Sequence, residues 1–456
     1  MVARLLGPED MGRYFFIMLT FLSLLTFIDL NASNAFYTFI AKKKQSPKFV
    51  SVYLLWTLLQ VLILFFFLNF LIPDHLLAKL WIGESKSIIL LGMLASFMQG
   101  RFWSVGSQMA EASRNTLKLQ YISVFFSLVH FVIVLGLWLY GKATLHYLFI
   151  AIIVEWLIAG MIACKLYSCN KLYEYESIPS ILVKYKIYCF PLILLSILNF
   201  THSFSEKWML QNWGGSSEQG YYGVAMRISS ITLLVTNSIF NILWKEITVL
   251  YDQKNFVSLT KNIEKTIKYL FVFSSLLVAF IYPYTDLLIY YVLGPEYLQG
   301  SITFKVLLFY PITQALTHIT SSFFFATEDT KTYSIIGSLF VSLSIVVNYF
   351  ALAPSNFFIP GLNLGSFGLS LSLLLLNIIL FNYSLYYIFK KLNSAYNWKF
   401  QFLIFFFLVC FFLLKFLISF LSLSEEFSFL IYCLIAFIIL LAFAFRNIKM
   451  IRTFIF

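Results

Sequence analysis

The stretch Leu198–Arg227, LNFTHSFSEKWMLQNWGGSSEQGYYGVAMR, begins as an apolar helix and carries the adjacent charges Glu206 and Lys207 inside apolar sequence. It turns at Gly214-Gly215 and re-enters an apolar helix at Gly220-Tyr221-Tyr222. A charge within a membrane span costs about 2.5–3.5 kcal/mol on insertion scales, so it faces a partner or a watery cavity. The same turn recurs near the N-terminus as Gly7-Pro8-Glu9-Asp10-Met11-Gly12-Arg13-Tyr14. At an offset of 208, Gly7 aligns with Gly215, Gly12 with Gly220, Tyr14 with Tyr222, and the acids Asp10 and Glu218 with each other. The chain is therefore read as an internal repeat.

Working outward, the 456 residues are 61% hydrophobic and 11% charged, which places the chain among polytopic membrane proteins. The apolar runs are long and do not alternate, so the spans are helices and not barrel strands. Thirteen spans are expected, at 13–40, 48–72, 87–112, 117–140, 145–168, 186–212, 219–244, 264–293, 301–326, 331–353, 364–390, 399–421 and 426–446. Of the 32 Lys and Arg residues, 22 fall in loops on one side, from Lys42–Lys44 to the tail Arg446, Lys449 and Arg452, and only five on the other. The rich side is cytoplasmic by the positive-inside rule, so the basic excess is topological and does not point to nucleic acid. This puts the N-terminus outside and the C-terminus in the cytoplasm.

The repeat extends along the chain. Pro73 followed by Gly83-Glu84 matches Pro283 followed by Gly294-Pro295-Glu296, and Asn115-Thr116 matches Lys331-Thr332. In the second half a full span precedes the glycine turn, whereas six residues precede it in the first. The expectation is an all-α fold of two six-helix bundles in parallel repeat, the first lacking its first helix, with a C-terminal two-helix hairpin. A truncated chain, or a start assigned at an internal Met, would explain the missing helix, and a complete version would have fourteen spans. The expected divisions are an N-terminal bundle at 1–168, a cytoplasmic linker at 169–185, a C-terminal bundle at 186–390, and the terminal hairpin and tail at 391–456. The five cysteines show no metal or redox spacing, and there is no phosphate-binding Gly-rich Lys-Ser/Thr loop. With no nucleophile or metal constellation either, the reading is a non-enzyme without a cofactor.

The stretch ARLLGPEDMGRYFFIM (3–18) resembles the first external turn of bacterial polysaccharide-biosynthesis flippases. These are the lipid-linked oligosaccharide (O-antigen repeat unit) transporters of the multidrug/oligosaccharidyl-lipid/polysaccharide exporter superfamily. Pro191 opening its helix, the acid–base pair Glu206-Lys207, GYYGVAMRI (220–228), YVLGPEYLQG (291–300) and NLGSFGLSLSL (363–373) are similar to the family as well. Glu206 stands where an aspartate is more usual. The resemblance implies two bundles around a central cavity and alternating access. It implies a short oligosaccharide on undecaprenyl diphosphate as substrate, flipped from the cytoplasmic to the periplasmic leaflet of the bacterial inner membrane for O-antigen, capsule or exopolysaccharide assembly. Membrane lipids, and the polymerase and chain-length proteins of the same pathway, are the partners it implies.

A diphosphate crossing hydrocarbon needs cationic hydrogen-bond donors, and the span residues that offer them are Arg101, Lys207, Arg227 and Lys305. An ion pair with Asp29 or Glu155 would equally explain Arg101, and snorkelling to the interface would explain the other three. Sequence neighbours point about 100° apart on a helix, so Glu206 and Lys207 are expected to seek other partners. Asp29, Glu155 and Glu206 are the candidates for a coupling proton or sodium ion, because buried acids hold protons readily. Lys415 lies outside the repeat and reads as structural, and Trp81 and Trp213 read as interface anchors. Two rival readings are a cation-coupled drug exporter of the same fold and a membrane polysaccharide polymerase. The latter usually carries a large periplasmic loop, and the longest external loop here is short, 73–86. A non-transporting assembly partner of the polysaccharide machinery is the third.

Overall fold

The computed structural model describes residues 2–42, 45–166, 177–231, 246–327, 329–421 and 424–446. Residues 169–176 of the linker expected at 169–185, the end of the span expected at 219–244, and the tail with Lys449 and Arg452 lie outside the described residues; from Ile178 the expected linker is helix. Among those described, every regular element is a helix. That is what hydrocarbon demands, since a helix satisfies its backbone groups within one segment. Among the described residues, nine helices are long and apolar enough to cross a membrane, and the segments Ile178–Leu192 and Ser196–Gly214, bent by 61°, make a tenth if taken as one span. Of the three remaining expected spans, 301–326 is split into Ser301–Leu307 and Tyr310–Ala326, 426–446 corresponds to Glu425–Arg446, and 219–244 runs out of the described residues.

The chain forms two compact units, residues 1–220 and 221–456. The first holds α1 (Val2–Asp29), α2 (Ala32–Lys42), α3 (Pro47–Phe66), α4 (Asp74–Leu80), α5 (Lys86–Ser96), α6 (Trp103–Ala112), α7 (Thr116–Leu139), α8 (Leu145–Cys164), α9 (Ile178–Cys189) and α10 (Ile193–Met209). Helix α11 (Ser216–Ser230) begins at its end. The second unit holds α12 (Phe256–Ile281), α13 (Thr285–Val292), α14 (Ser301–Leu307), α15 (Tyr310–Ala326), α16 (Thr330–Leu352), α17 (Gly365–Lys391) and the pair α18 (Leu403–Ser419) and α19 (Glu425–Arg446).

The repeat is written into the backbone. Gly7 and its repeat mate Gly215 share one conformation, φ 71°, ψ 174° and φ 87°, ψ 175°, a region only glycine enters without strain. Five residues on, the matched glycines meet. A Cβ on Gly12 would lie 1.7 Å from the carbonyl oxygen of Ser216, and one on Gly220 would lie 2.0 Å from that of Pro8. Pro8 and Ser216 are themselves repeat mates, so the contact is reciprocal. The following side chains anchor the loops that precede α5 and α14. Arg13 grips Glu84 with Nε and Nη2 at 2.6 and 2.8 Å, and within the second unit Tyr221 donates to the Glu296 carbonyl at 3.3 Å and the Gln299 side chain at 3.0 Å.

Two expectations are corrected. The span 13–40 is not one helix: Leu30 and Asn31 adopt positive φ, 50° and 65°, and part α1 from α2. Trp81 is not an interface anchor; it is buried and stacks on Phe21 with centroids 5.0 Å apart. Lys415 is structural as expected: its Nζ donates to the Pro283 carbonyl at 2.7 Å and sits 4.4 Å from the Tyr284 ring, tying α18 to the break after α12.

Candidate functional site

The break between α1 and α2 leaves an acid at a helix end inside a span. Asp29 is 2% exposed, and its Oδ2 accepts from the backbone N–H of Ser33 at 2.9 Å, capping the first turn of α2. Its Oδ1 accepts from Gln60 Nε2 of α3 at 2.8 Å, and Arg101 Nη1 approaches Oδ2 to 3.5 Å. Asn31 reaches Ser196 of α10 from the same break.

Arg101 is positioned by a wide turn. Residues Phe97–Phe102 form a π-helical turn between α5 and α6, a widening frequently found at functional sites. Small residues let this span pack closely on its neighbours: Gly106 faces Gly160 and Ala163, Gly92 faces Ile17, and Ser96 donates to the Met18 carbonyl at 3.1 Å. The polar, small-residue face of MQGRFWSVGSQ is thus spent on helix packing, while Arg101 itself stays 8% exposed. Its Nε and Nη2 are buried and have no hydrogen-bond partner.

Beside the break, a cavity of about 360 Å³ is bounded by Asp29, Tyr53, Trp56, Tyr185 and Lys186 and by the leucines Leu55, Leu59 and Leu182. Tyr53 and Tyr185 lie parallel, with centroids 6.2 Å apart.

The other candidates are distributed differently. Glu155 of α8 is 3% exposed and pairs with His130 of α7, Nδ1 to Oε2, at 2.8 Å. Glu206 has both Lys207 Nζ and His202 Nε2 at 3.8 Å, so the sequence neighbours do face each other, at ion-pair and not hydrogen-bond distance. The long Lys207 stem closes the angular gap that the helix opens between adjacent side chains. In the second unit, Arg227 is exposed, and Lys305 is paired with the exposed Asp286 at 2.7 Å. Asp29 and Arg101 are the two candidates of opposite sign that the fold joins across different spans. Sequence reading missed Gln60 and His130. Each is a strongly polar side chain in an otherwise mostly apolar helix, and that cost was the available signal.

These features define a class: a multi-pass helical membrane protein with ionisable side chains buried in its spans. No family model matches the chain, and no curated protein matches it. Solved structures do. The chain is similar to the lipid II flippase MurJ in an inward closed conformation, at 17% identity and TM-score 0.69, covering 99% of this chain and 96% of that one. It is also similar to a multidrug resistance MATE family transporter of the MOP superfamily in an inward-facing conformation, at 14% identity and TM-score 0.67, covering 86% and 93%. A third is a MOP superfamily transporter from Pyrococcus furiosus, described as having a binding pocket of reverse polarity, at 15% identity and TM-score 0.55, covering 86% and 90%. The fold is therefore that of MOP-type transporters.

Proposed function

We propose that this chain is a flippase that carries undecaprenyl-diphosphate-linked oligosaccharide repeat units from the cytoplasmic to the periplasmic leaflet of a bacterial inner membrane, by alternating access. The product would feed O-antigen, capsule or exopolysaccharide assembly, where a polymerase and chain-length proteins act next. One observation carries the reading: Arg101, buried in a span, keeps two guanidinium N–H groups without a partner while Asp29 holds a third nitrogen. Buried polar groups are normally satisfied, and a guanidinium fork with free donors matches a phosphate oxygen pair. Lys207 is the second candidate for the substrate, 3.8 Å from an acid and outside hydrogen-bond contact with it. Arg227 and Lys305 rank behind it, the first for its exposure and the second for its pairing with Asp286. The likeness to a lipid II flippase supports a lipid-linked substrate; the basic loop pattern supports a cytoplasmic C-terminus.

The second reading, a cation-coupled exporter of organic cations, is favoured by the cavity beside Asp29. The rings of Tyr53, Trp56 and Tyr185 suit a cationic ligand beside the Asp29 carboxylate, against the opposing charges of Lys186 on the same wall and of Arg101 on Asp29. Deleting the gene in its host and assaying surface glycan with undecaprenyl-linked intermediates separates the two. Loss of glycan with cytoplasmic-side accumulation of the lipid-linked unit, not restored by Arg101→Ala, is the expected outcome. Intact glycan with new sensitivity to cationic drugs would overturn it in favour of the exporter, and periplasmic accumulation would point to a polymerase.

A further inference from the structure

We propose that His130 and Glu155 together form the proton-binding site of this transporter, taking up and releasing a single proton as the cycle turns. This rests on the transporter reading above, but not on the identity of the cargo. Glu155 sits in the middle of α8 and His130 in the middle of α7, so the pair lies deep within two adjacent spans. The separation of 2.8 Å between Nδ1 and Oε2 is a hydrogen bond and needs a proton between the atoms. The other carboxylate oxygen, Oε1, is buried and has no hydrogen-bond partner.

That arrangement has two charge states. In the proton-poor state Nδ1–H donates to the carboxylate, and the pair carries one negative charge. Uptake of one proton, on His130 Nε2 or on Glu155 Oε1, cancels that charge; release restores it. A net charge inside a span is costly and an uncharged pair is not, so proton occupancy biases how α7 and α8 pack and what surrounds them. The imidazole is 29% exposed and the carboxylate it covers 4%.

The two other buried acids are differently placed. Asp29 has a guanidinium, an amide side chain and a backbone N–H around it, and Glu206 has Lys207 and His202. Charged and titratable groups on the elements packed against α8 are engaged or distant. Lys86 of α5 pairs with Asp74, Arg101 with Asp29, and Glu111 lies in the last turn of α6. On α7, Lys118, Tyr121 and Tyr140, and on α8 itself His146, Tyr147 and Cys164, stand at least eight residues from His130 or Glu155, two turns or more of helix.

Difference infrared spectroscopy on the purified full-length protein in nanodiscs, stepped in pH, tests the assignment. The expected result is a protonated-carboxyl C=O band that Glu155→Gln removes and whose midpoint His130→Gln shifts, since that variant keeps the carboxyl. Identical titrations in wild type and Glu155→Gln would overturn the proposal, as would an unmoved midpoint in His130→Gln. In vesicles under an imposed pH gradient, Glu155→Gln is expected to lose the response of transport to the gradient. A response equal to wild type would count against the site. If no lipid-linked oligosaccharide moves but the Glu155 band titrates, the cargo assignment falls and the proton site stands.

Discussion

Breaking the Asp29–Arg101 pair from either side has different consequences, and the structure gives their order. Arg101→Ala leaves the Asp29 carboxylate 2% exposed but still bonded to Gln60 and to the Ser33 N–H. Removing one partner of a buried pair costs about 3–5 kcal/mol, and the surviving donors put this variant near the lower end, about 3 kcal/mol. Asp29→Asn removes the charge opposite a guanidinium whose Nε and Nη2 already lack partners, leaving an uncompensated buried cation, so about 4–5 kcal/mol is expected. The double variant Asp29→Asn with Arg101→Met buries no net charge and should recover part of the loss, with a coupling of about 1–3 kcal/mol. Unfolding midpoints of the detergent-purified proteins, converted to free energy through a denaturant series, give all three values. Losses that simply add would refute the claim that these two residues compensate one another. A destabilisation below about 0.5 kcal/mol for Asp29→Asn would refute the claim that Arg101 is buried with its charge.

Three further outcomes are expected. Gly12→Ala and Gly220→Ala each drive a methyl into backbone carbonyl, 1.7 and 2.0 Å away, and should each cost at least the roughly 1–3 kcal/mol of an overpacked core; wild-type thermal stability in either would contradict the reciprocal crossing. Asp329, in the turn before α16, is influenced most by burial, which pushes its pKa up, yet Lys391 at 2.7 Å together with Thr332 and Tyr387 holds it down to about 2 from the ordinary 3.8. Because the folded value is the lower one, the stabilisation is complete above about pH 4 and lost as pH falls towards 2; Lys391→Ala should flatten that part of a stability-against-pH curve. Lys305→Ala removes a pair whose acid is 55% exposed, so stability should change by less than about 1 kcal/mol, and surface glycan in a complemented deletion strain should persist.

What the sequence could tell depended on chemistry that leaves a local mark. The paired turns were legible because Gly7 and Gly215 need a conformation other residues avoid, and Gly12 and Gly220 need the space of a missing Cβ. The acid at Asp29 and the base at Arg101 stood out by their cost in apolar sequence, and an ion pair between them was one of the readings. The helix break at Leu30 and Asn31 was not legible, since neither is glycine or proline; it is held locally by Asp29 capping α2 and at long range by Asn31 reaching Ser196, a contact that exists only once α10 is in place. Trp81 misled because an aromatic near a boundary has the same local signature whether it faces lipid or, as here, lies under Phe21. His130 gave no hint of its partner, which lies on the next helix.

The proposed function is movement of a lipid-linked oligosaccharide across a bilayer. The most direct measurement is leaflet accessibility of a polyprenyl-diphosphate oligosaccharide in vesicles containing the purified protein, read by an enzyme that can act only on the outer leaflet. The account predicts that the protein makes substrate from the inner leaflet accessible faster than in protein-free vesicles, and that Arg101→Ala, at equal protein incorporation, does not. Accessibility no faster than in protein-free vesicles, from protein that exports an organic cation under the same conditions, would contradict it.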